Sequence, residues 1–185
     1  MKNSIKSIFA ALIFTSAIIS LAGCGGSEPA MESETEKTNP ADLFKDETPA
    51  YDAKAINPDA PVSEVNLKAV GNTMSEISYD QKVITVKAGT TIKLKFTNTS
   101  TDAAMPHNWV LIYPGKAEVV ATAGIPVGKE GSYVPNIDDV LIATRLLGPQ
   151  ETTEITFPAP PAGKYQFICT YPGHWSVMNG ELIVE

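Results

Sequence analysis

Alternation of apolar and polar residues dominates the chain from residue 61 to its end. A period of two places every second side chain on one face of a β-strand. The clearest sets are Val65, Leu67 and Ala69, then Ile84 and Val86, and then Ile92, Leu94 and Phe96. Further runs cover residues 109–113, 140–147, 154–157, 165–169 and 181–184. Turn residues separate the runs, so the pattern predicts an all-β fold of seven or eight short strands, a β-sandwich or Greek-key barrel.

Residues 115–139 interrupt this rhythm. The segment is rich in glycine and proline, and residues 117–121 are compatible with a helical turn. A connection of this length is uncommon in a compact domain unless it folds over the surface or carries function. We therefore predict a flap inserted between two strands. Strand-helix-strand alternation is not visible, so a parallel α/β sheet is not expected.

The first residues have the pattern of an export signal. Lys2 and Lys6 precede an apolar stretch at residues 8–19, which is too short for a confident membrane span. The following Leu21-Ala22-Gly23-Cys24 resembles the lipobox of bacterial lipoproteins. That resemblance implies a signal peptide at residues 1–23, cleavage before Cys24 and lipid on its thiol. The alternative is an ordinary signal peptide with an incidental cysteine.

Acidic residues dominate the stretch between Cys24 and the first strand. Residues 25–60 contain nine acidic side chains against three lysines, four prolines and few large apolar side chains. Such a composition does not bury enough apolar surface to offset the entropy of ordering, so we predict a disordered linker over residues 24–61. The whole chain has 14 Lys and Arg against 21 Asp and Glu, for a net charge of -7, which argues against nucleic-acid binding.

Scarce side chains gather in two short motifs. The chain has two histidines, His107 and His174, and Cys169 is its only thiol besides Cys24. His107 lies in the sequence His-Asn-Trp, whereas Cys169, His174 and Met178 follow a C-x4-H-x3-M spacing after a strand. Two imidazoles, a thiolate and a long thioether contact are the donor set of blue-copper electron-transfer sites. The spacing therefore predicts one metal centre in residues 62–185.

Other interpretations of these residues remain open at this point. A cysteine at a strand end is often a small buried apolar residue, and zinc also binds Cys and His, although structural zinc sites usually have four N or S ligands. Among copper functions, the alternative to electron transfer is storage or delivery, and a structural domain with a vestigial site is a third. Enzymatic constellations such as Ser/His/Asp or HExxH are absent from the sequence, so we predict no enzymatic activity.

Both motifs are similar to those of azurin and auracyanin, which are small cupredoxins. Residues 169–174, Cys-Thr-Tyr-Pro-Gly-His, followed by Met178, resemble the azurin ligand loop, and residues 107–111 resemble the other ligand motif. The resemblance covers nearly all of residues 62–185. It implies a Greek-key cupredoxin β-sandwich with one mononuclear type 1 copper, and it implies four copper ligands: His107, Cys169, His174 and Met178.

The resemblance also implies roles around the ligands. Asn108 would brace the ligand loops and donate towards the Cys169 sulfur, and the backbone carbonyl of Pro106 would be a weak axial contact, although azurin has glycine there. The azurin disulfide has no counterpart, because Cys24 is assigned to lipid and Cys169 to copper.

These features together predict a membrane-tethered electron carrier. An apolar patch of Met105, Pro106, Tyr171, Pro172 and Trp175 would surround the edge of His174 and dock redox partner proteins. We expect a monomer without a small-molecule substrate. As an exported bacterial lipoprotein, it would lie at the periplasmic face of a membrane or at the cell surface.

Overall fold

Nine strands and one α-helix form the part of the chain that the computed structural model describes, residues 50–185. The strands are β1 (Val62–Val70), β2 (Ser78–Tyr79), β3 (Val83–Val86), β4 (Thr91–Asn98), β5 (Val110–Ile112), β6 (Val140–Ala143), β7 (Thr152–Pro158), β8 (Gly163–Ile168) and β9 (Asn179–Val184). The helix α1 (Ala117–Gly124) continues into a short 3-10 helix, Ile125–Val127. No helix among residues 50–185 is long and apolar enough to cross a membrane.

The strands form two sheets. One has the order β2-β1-β4-β7 and the other β3-β9-β8-β5-β6. β1 runs parallel to β4 and β3 parallel to β9, whereas the other neighbours are antiparallel. Several neighbouring strands, such as β4 and β7, thus come from distant parts of the sequence, and the predicted all-β sandwich is confirmed.

Alternating side chains from both sheets fill the core. In β4, Ile92, Leu94 and Phe96 are buried while Lys93 and Lys95 are exposed. Burial of each large apolar side chain contributes about 1.5–3 kcal/mol to the stability of the fold. Trp109 lies in the same core, with a ring centroid 5.8 Å from that of Phe157.

Two predicted strands are shorter than their apolar runs. Instead of residues 109–113, β5 covers only Val110–Ile112, because the Trp109 amide donates to the Thr144 hydroxyl at 3.0 Å rather than to a strand. Instead of residues 140–147, β6 ends at Ala143, and the Leu146 amide donates to the hydroxyl of Ser132. Leu147 then pairs separately with His107.

The predicted flap is present between β5 and β6. Its helix reaches Gly124 rather than ending at residue 121, and it buries Ala117, Val120 and Ala121 against the outer side of the β5–β8 sheet. Gly124 approaches the Tyr133 carbonyl so closely that a Cβ would overlap it. This contact fixes the segment around Tyr133 against the end of α1.

The end of the predicted linker contacts the sandwich. The Tyr51 hydroxyl donates a hydrogen bond of 2.8 Å to the carbonyl of Pro158, at the end of β7. Tyr51 belongs to the predicted linker of residues 24–61, whose disorder stays a prediction. The predicted signal peptide, Cys24 and the rest of the linker lie outside the described residues.

Candidate metal centre

Three buried side chains converge at one end of the sandwich. The Cys169 Sγ lies 3.9 Å from the Nδ1 of His107 and 3.7 Å from the Nδ1 of His174, and the two Nδ1 atoms are 3.3 Å apart. His107 and Cys169 are fully buried and His174 is 1% exposed. The structure thus joins the two sequence motifs in a single site.

Backbone pairing fixes His107. Its amide donates to the Leu147 carbonyl at 3.0 Å, and the Leu147 amide donates back at 2.7 Å. Asn98, at the end of β4, donates from its Nδ2 to the carbonyls of both Met105 and Leu147. His107 is therefore held by its backbone pairing with Leu147, and Asn98 supports the residues on both sides of this pairing.

A tight turn brings Cys169 and His174 together. Cys169 directly follows β8, and the His174 amide donates to the Tyr171 carbonyl at 3.0 Å. Gly173 has a φ of +85°, a left-handed conformation that glycine adopts without steric cost. The sequence Tyr-Pro-Gly thus returns the chain in three residues.

Met178 lies in the same loop and is fully buried. Its amide donates to the His174 carbonyl at 2.8 Å, and its carbonyl accepts from the Cys169 amide at 3.0 Å. β9 begins at the next residue. Met178 is thus tied by its backbone to the two loop residues that carry candidate metal donors.

Asn108 joins three separate segments. Its Oδ1 accepts from the Thr170 amide at 2.8 Å, and its Nδ2 donates to the Thr170 hydroxyl and to the Ser132 carbonyl, both at 2.7 Å. Its own carbonyl accepts from the buried Tyr79 hydroxyl at 2.7 Å. The side chain thus links the His107 strand, the flap and the loop after Cys169.

Burial keeps the three candidate donors neutral in the metal-free protein. Burial, with a smaller contribution from His174, lowers the pKa of His107 to about 4, and burial lowers the pKa of His174 to about 4. Burial raises the pKa of the Cys169 thiol to about 12, although the backbone amides of Asn108 and Tyr171 oppose this shift. Neutral imidazoles are ready to bind a metal, whereas the thiol must first lose its proton.

The chemistry of this donor set fits copper. One atom from each of His107, Cys169 and His174 lies within 4.8 Å of the others, so a single ion can reach all three. Two imidazoles and one soft thiolate beside a methionine suit a blue-copper site better than a four-ligand structural zinc site.

Comparisons with known proteins agree with this chemistry. Residues 64–185 match the family model of copper binding proteins, plastocyanin/azurin family. The chain belongs to the plastocyanin/azurin family. Its cofactor is copper, at one mononuclear type 1 centre where His107, Cys169, His174 and Met178 come together, as predicted.

Individual relatives extend the comparison. Auracyanin-A of Chloroflexus aurantiacus is 39% identical over 119 residues, which are 63% of this chain and 72% of the relative. Azurin of Pseudomonas fluorescens biotype C is 31% identical over 125 residues, 64% of this chain and 98% of the relative. The solved structure of auracyanin A, a "blue" copper protein of Chloroflexus aurantiacus, superposes with a TM-score of 0.61 at 35% identity over 67% of this chain and 99% of that one.

Half-buried apolar residues surround the centre of this cupredoxin. Met105, Pro106, Tyr171 and Trp175 are partly exposed, and Pro172 is exposed. The Tyr171 ring lies against His174, with centroids 4.7 Å apart, and meets the Tyr133 ring of the flap at 5.3 Å. Exposed apolar side chains near this end that the sequence reasoning did not select include Met74, Ile125 and Val177.

Several supporting residues were also missed from the sequence. Thr170 is the residue after Cys169, so the motif itself contained a signal for it. Tyr79 contacts Asn108 from β2, which has only two residues. Ser132 contacts it from the flap and has a φ of +58°. Neither feature has a recognisable sequence pattern.

Proposed function

We propose that this cupredoxin is a membrane-tethered electron carrier that passes single electrons between redox partner proteins and is not an enzyme. The observation that carries the proposal is the buried cluster of two Nδ1 atoms and one Sγ, held by backbone hydrogen bonds from separate segments. A site preformed in this way changes little when its charge changes, which favours electron exchange.

Each residue has a distinct part in this proposal. The Nδ1 atoms of His107 and His174, the Sγ of Cys169 and the thioether of Met178 would hold the copper, and the Pro106 carbonyl would add a weak contact. Copper supplies the Cu(I)/Cu(II) couple when it is bound. Asn108 keeps the ligand loops together through its side chain, and its backbone amide faces the Cys169 sulfur.

Partner proteins dock, in this proposal, on the apolar surface around His174. Tyr171 covers one face of this imidazole, and Pro172 and Val177 are exposed on the same loop. Surfaces of this kind favour brief association without strong charge pairing. We infer that the protein acts as a monomer and has no small-molecule substrate.

A copper titration tests the ligand set. Residues 25–185 would be prepared without metal, and the visible spectrum recorded after Cu(II) is added, in parallel with Cys169→Ser. We expect an intense thiolate-to-copper band that is lost in Cys169→Ser and on reduction. A colourless wild-type protein, or one that binds zinc but not copper, contradicts electron transfer. Colourless copper binding would favour storage or delivery instead.

A separate experiment tests the tether. The proposal assigns residues 1–23 to a lipoprotein signal peptide and Cys24 to lipid, which places the exported protein at the periplasmic or outer surface of a membrane. The full-length chain and Cys24→Ser would be expressed in a bacterium, labelled with a fatty acid and fractionated. We expect label and membrane association only with Cys24. Equal membrane association of both proteins would contradict the lipid anchor without affecting the copper site.

A further inference from the structure

Every backbone carbonyl from His174 to Asn179 accepts a hydrogen bond. The His174 carbonyl accepts from the amides of Val177 and Met178, and the Met178 carbonyl accepts from the Cys169 amide. The carbonyls of Trp175 and Ser176 accept from the Asn179 side chain. The carbonyls of Val177 and Asn179 accept from the Lys82 side chain. Lys82 is thus the only side chain outside the loop among these donors. It lies 95 residues before Val177.

Lys82 reaches the loop on both sides of Met178. Its Nζ lies 3.2 Å from the Val177 carbonyl oxygen and 3.1 Å from that of Asn179. The backbone of Lys82 holds the following residues as well, since its carbonyl accepts from the Glu181 amide at 2.8 Å. One residue therefore fixes the segment that carries Met178 through both its side chain and its main chain.

The ammonium group of Lys82 has no acidic partner among residues 50–185. The ion pairs of this part of the chain involve other lysines and Arg145. One of these lysines, Lys164, lies 3.8 Å from Glu181 in the groove that Lys82 also lines. Burial lowers the pKa of Lys82, because the loop partly withdraws its ammonium from water. The positive charge is thus directed at carbonyl dipoles of the loop.

We infer that Lys82 is a positioning residue for Met178: it fixes the carbonyl groups on either side of this residue and adds a positive charge that favours the reduced state of the centre. This inference rests on the proposed role of Met178 as a copper ligand. A cation beside the site opposes the additional positive charge of Cu(II) relative to Cu(I). Removing Lys82 should therefore loosen the loop and weaken the preference for Cu(I).

Amide hydrogen exchange in the metal-free protein tests the positioning directly. The variants are Lys82→Met, which removes the charge and the donors, and Lys82→Arg, which retains both. Lys164→Met is the matched control, since it removes a lysine from the same groove without a contact to the loop carbonyls. We expect the Val177 and Met178 amides to exchange at least about tenfold faster in Lys82→Met, corresponding to about 1.4 kcal/mol.

The other variants define what counts as support. In Lys82→Arg and Lys164→Met, exchange of these amides should stay within about threefold of wild type. Core amides such as those of Phe96 and Phe167 must remain protected in all variants. Should Lys82→Met lose core protection, Lys82→Gln, which keeps one donor, replaces it. Unchanged exchange at Val177 and Met178 in Lys82→Met, or an equal increase in Lys164→Met, would overturn the inference.

The copper-loaded protein provides a second readout. The ratio of Cu(I) to Cu(II) affinity should fall at least about threefold in Lys82→Met and be restored in Lys82→Arg, because a unit charge near the site acts through this ratio. The control should change it less, because the Lys164 side chain is 68% exposed and water screens its charge. A wild-type protein without the thiolate band refutes the proposed function but leaves the exchange result valid. A normal band with unchanged exchange refutes this inference alone.

Discussion

Replacement of Asn108 by alanine should destabilise the metal-free protein more than an average single substitution does. Three hydrogen bonds of 2.7–2.8 Å connect this side chain to Thr170 and Ser132. Each contributes about 0.5–1.5 kcal/mol, and the buried Thr170 amide would lose its partner. We therefore expect the free energy of unfolding to fall by about 3–4 kcal/mol.

Urea denaturation followed by tryptophan fluorescence measures this loss. With an m-value of about 1.5 kcal/mol/M, a loss of 3 kcal/mol lowers the midpoint by about 2 M. Thr170→Val, the matched variant, removes only the hydroxyl that accepts from Asn108 and should cost about 1 kcal/mol. The double variant should lose less than the sum of the two, since both remove the same bond.

Two results would refute this reasoning. A loss below about 1 kcal/mol in Asn108→Ala would mean that the three bonds do not connect the segments in solution. Strict additivity in the double variant would mean that Asn108 and Thr170 act independently, contrary to their 2.7 Å contact. Copper must be absent from these measurements, because a bound metal stabilises the folded state by mass action.

Three further predictions concern protons and packing. Because the pKa values of His107 and His174 are about 4 in the folded protein and about 6.5 in the unfolded chain, the unfolded chain binds more protons between these values. The metal-free protein should therefore lose stability as the pH falls from 6.5 to 4, which urea denaturation at pH 7, 5.5 and 4 measures. A free energy of unfolding that does not change with pH contradicts neutral imidazoles in the folded protein. At pH 7.5, Cu(I) binding should release one proton, from the Cys169 thiol with its pKa of about 12, and calorimetry in buffers of different ionisation enthalpy counts it. Gly180→Ala should lower the free energy of unfolding by about 2 kcal/mol, because the new Cβ would overlap an aromatic ring and lie 2.8 Å from the Lys82 carbonyl oxygen. Gly148→Ala is the control: its Cβ meets only ordinary contacts, so stability should change by less than 1 kcal/mol in the same denaturation assay.

The metal centre was predictable because its side chains are rare. With two histidines in the chain and one cysteine in the folded part, scarcity and spacing favoured one metal centre, and the resemblance to azurin and auracyanin implied its ligands. The structure joins His107 to Cys169 and His174 across 62 or more residues. The strands of the core were predictable for a different reason. Ile92, Leu94 and Phe96 alternate because one face of β4 is buried and the other is in water.

Contacts between distant backbone groups could not be predicted in the same way. Lys82 resembles any surface lysine in the sequence, and its two acceptors are carbonyl groups whose direction depends on the folded loop. The predicted ends of two strands were wrong for a related reason. The apolar run at residues 140–147 continues past β6, but the Leu146 amide donates to the Ser132 hydroxyl instead of to a neighbouring strand.

The hydrogen bond from Tyr51 to Pro158 attaches the segment before β1 at the end of the sandwich opposite the metal centre. Pro158 pairs with Thr91 at the first residue of β4, whereas Asn98 at the other end of this eight-residue strand supports the metal centre, so the two points are about 23 Å apart. The chain that leads back to Cys24 would thus leave the domain at the end opposite the metal centre. Residues 25–50 span at most about 90 Å when fully extended. In the proposed lipoprotein, this attachment would leave the metal-binding end of the domain unobstructed by the chain that leads to the lipid.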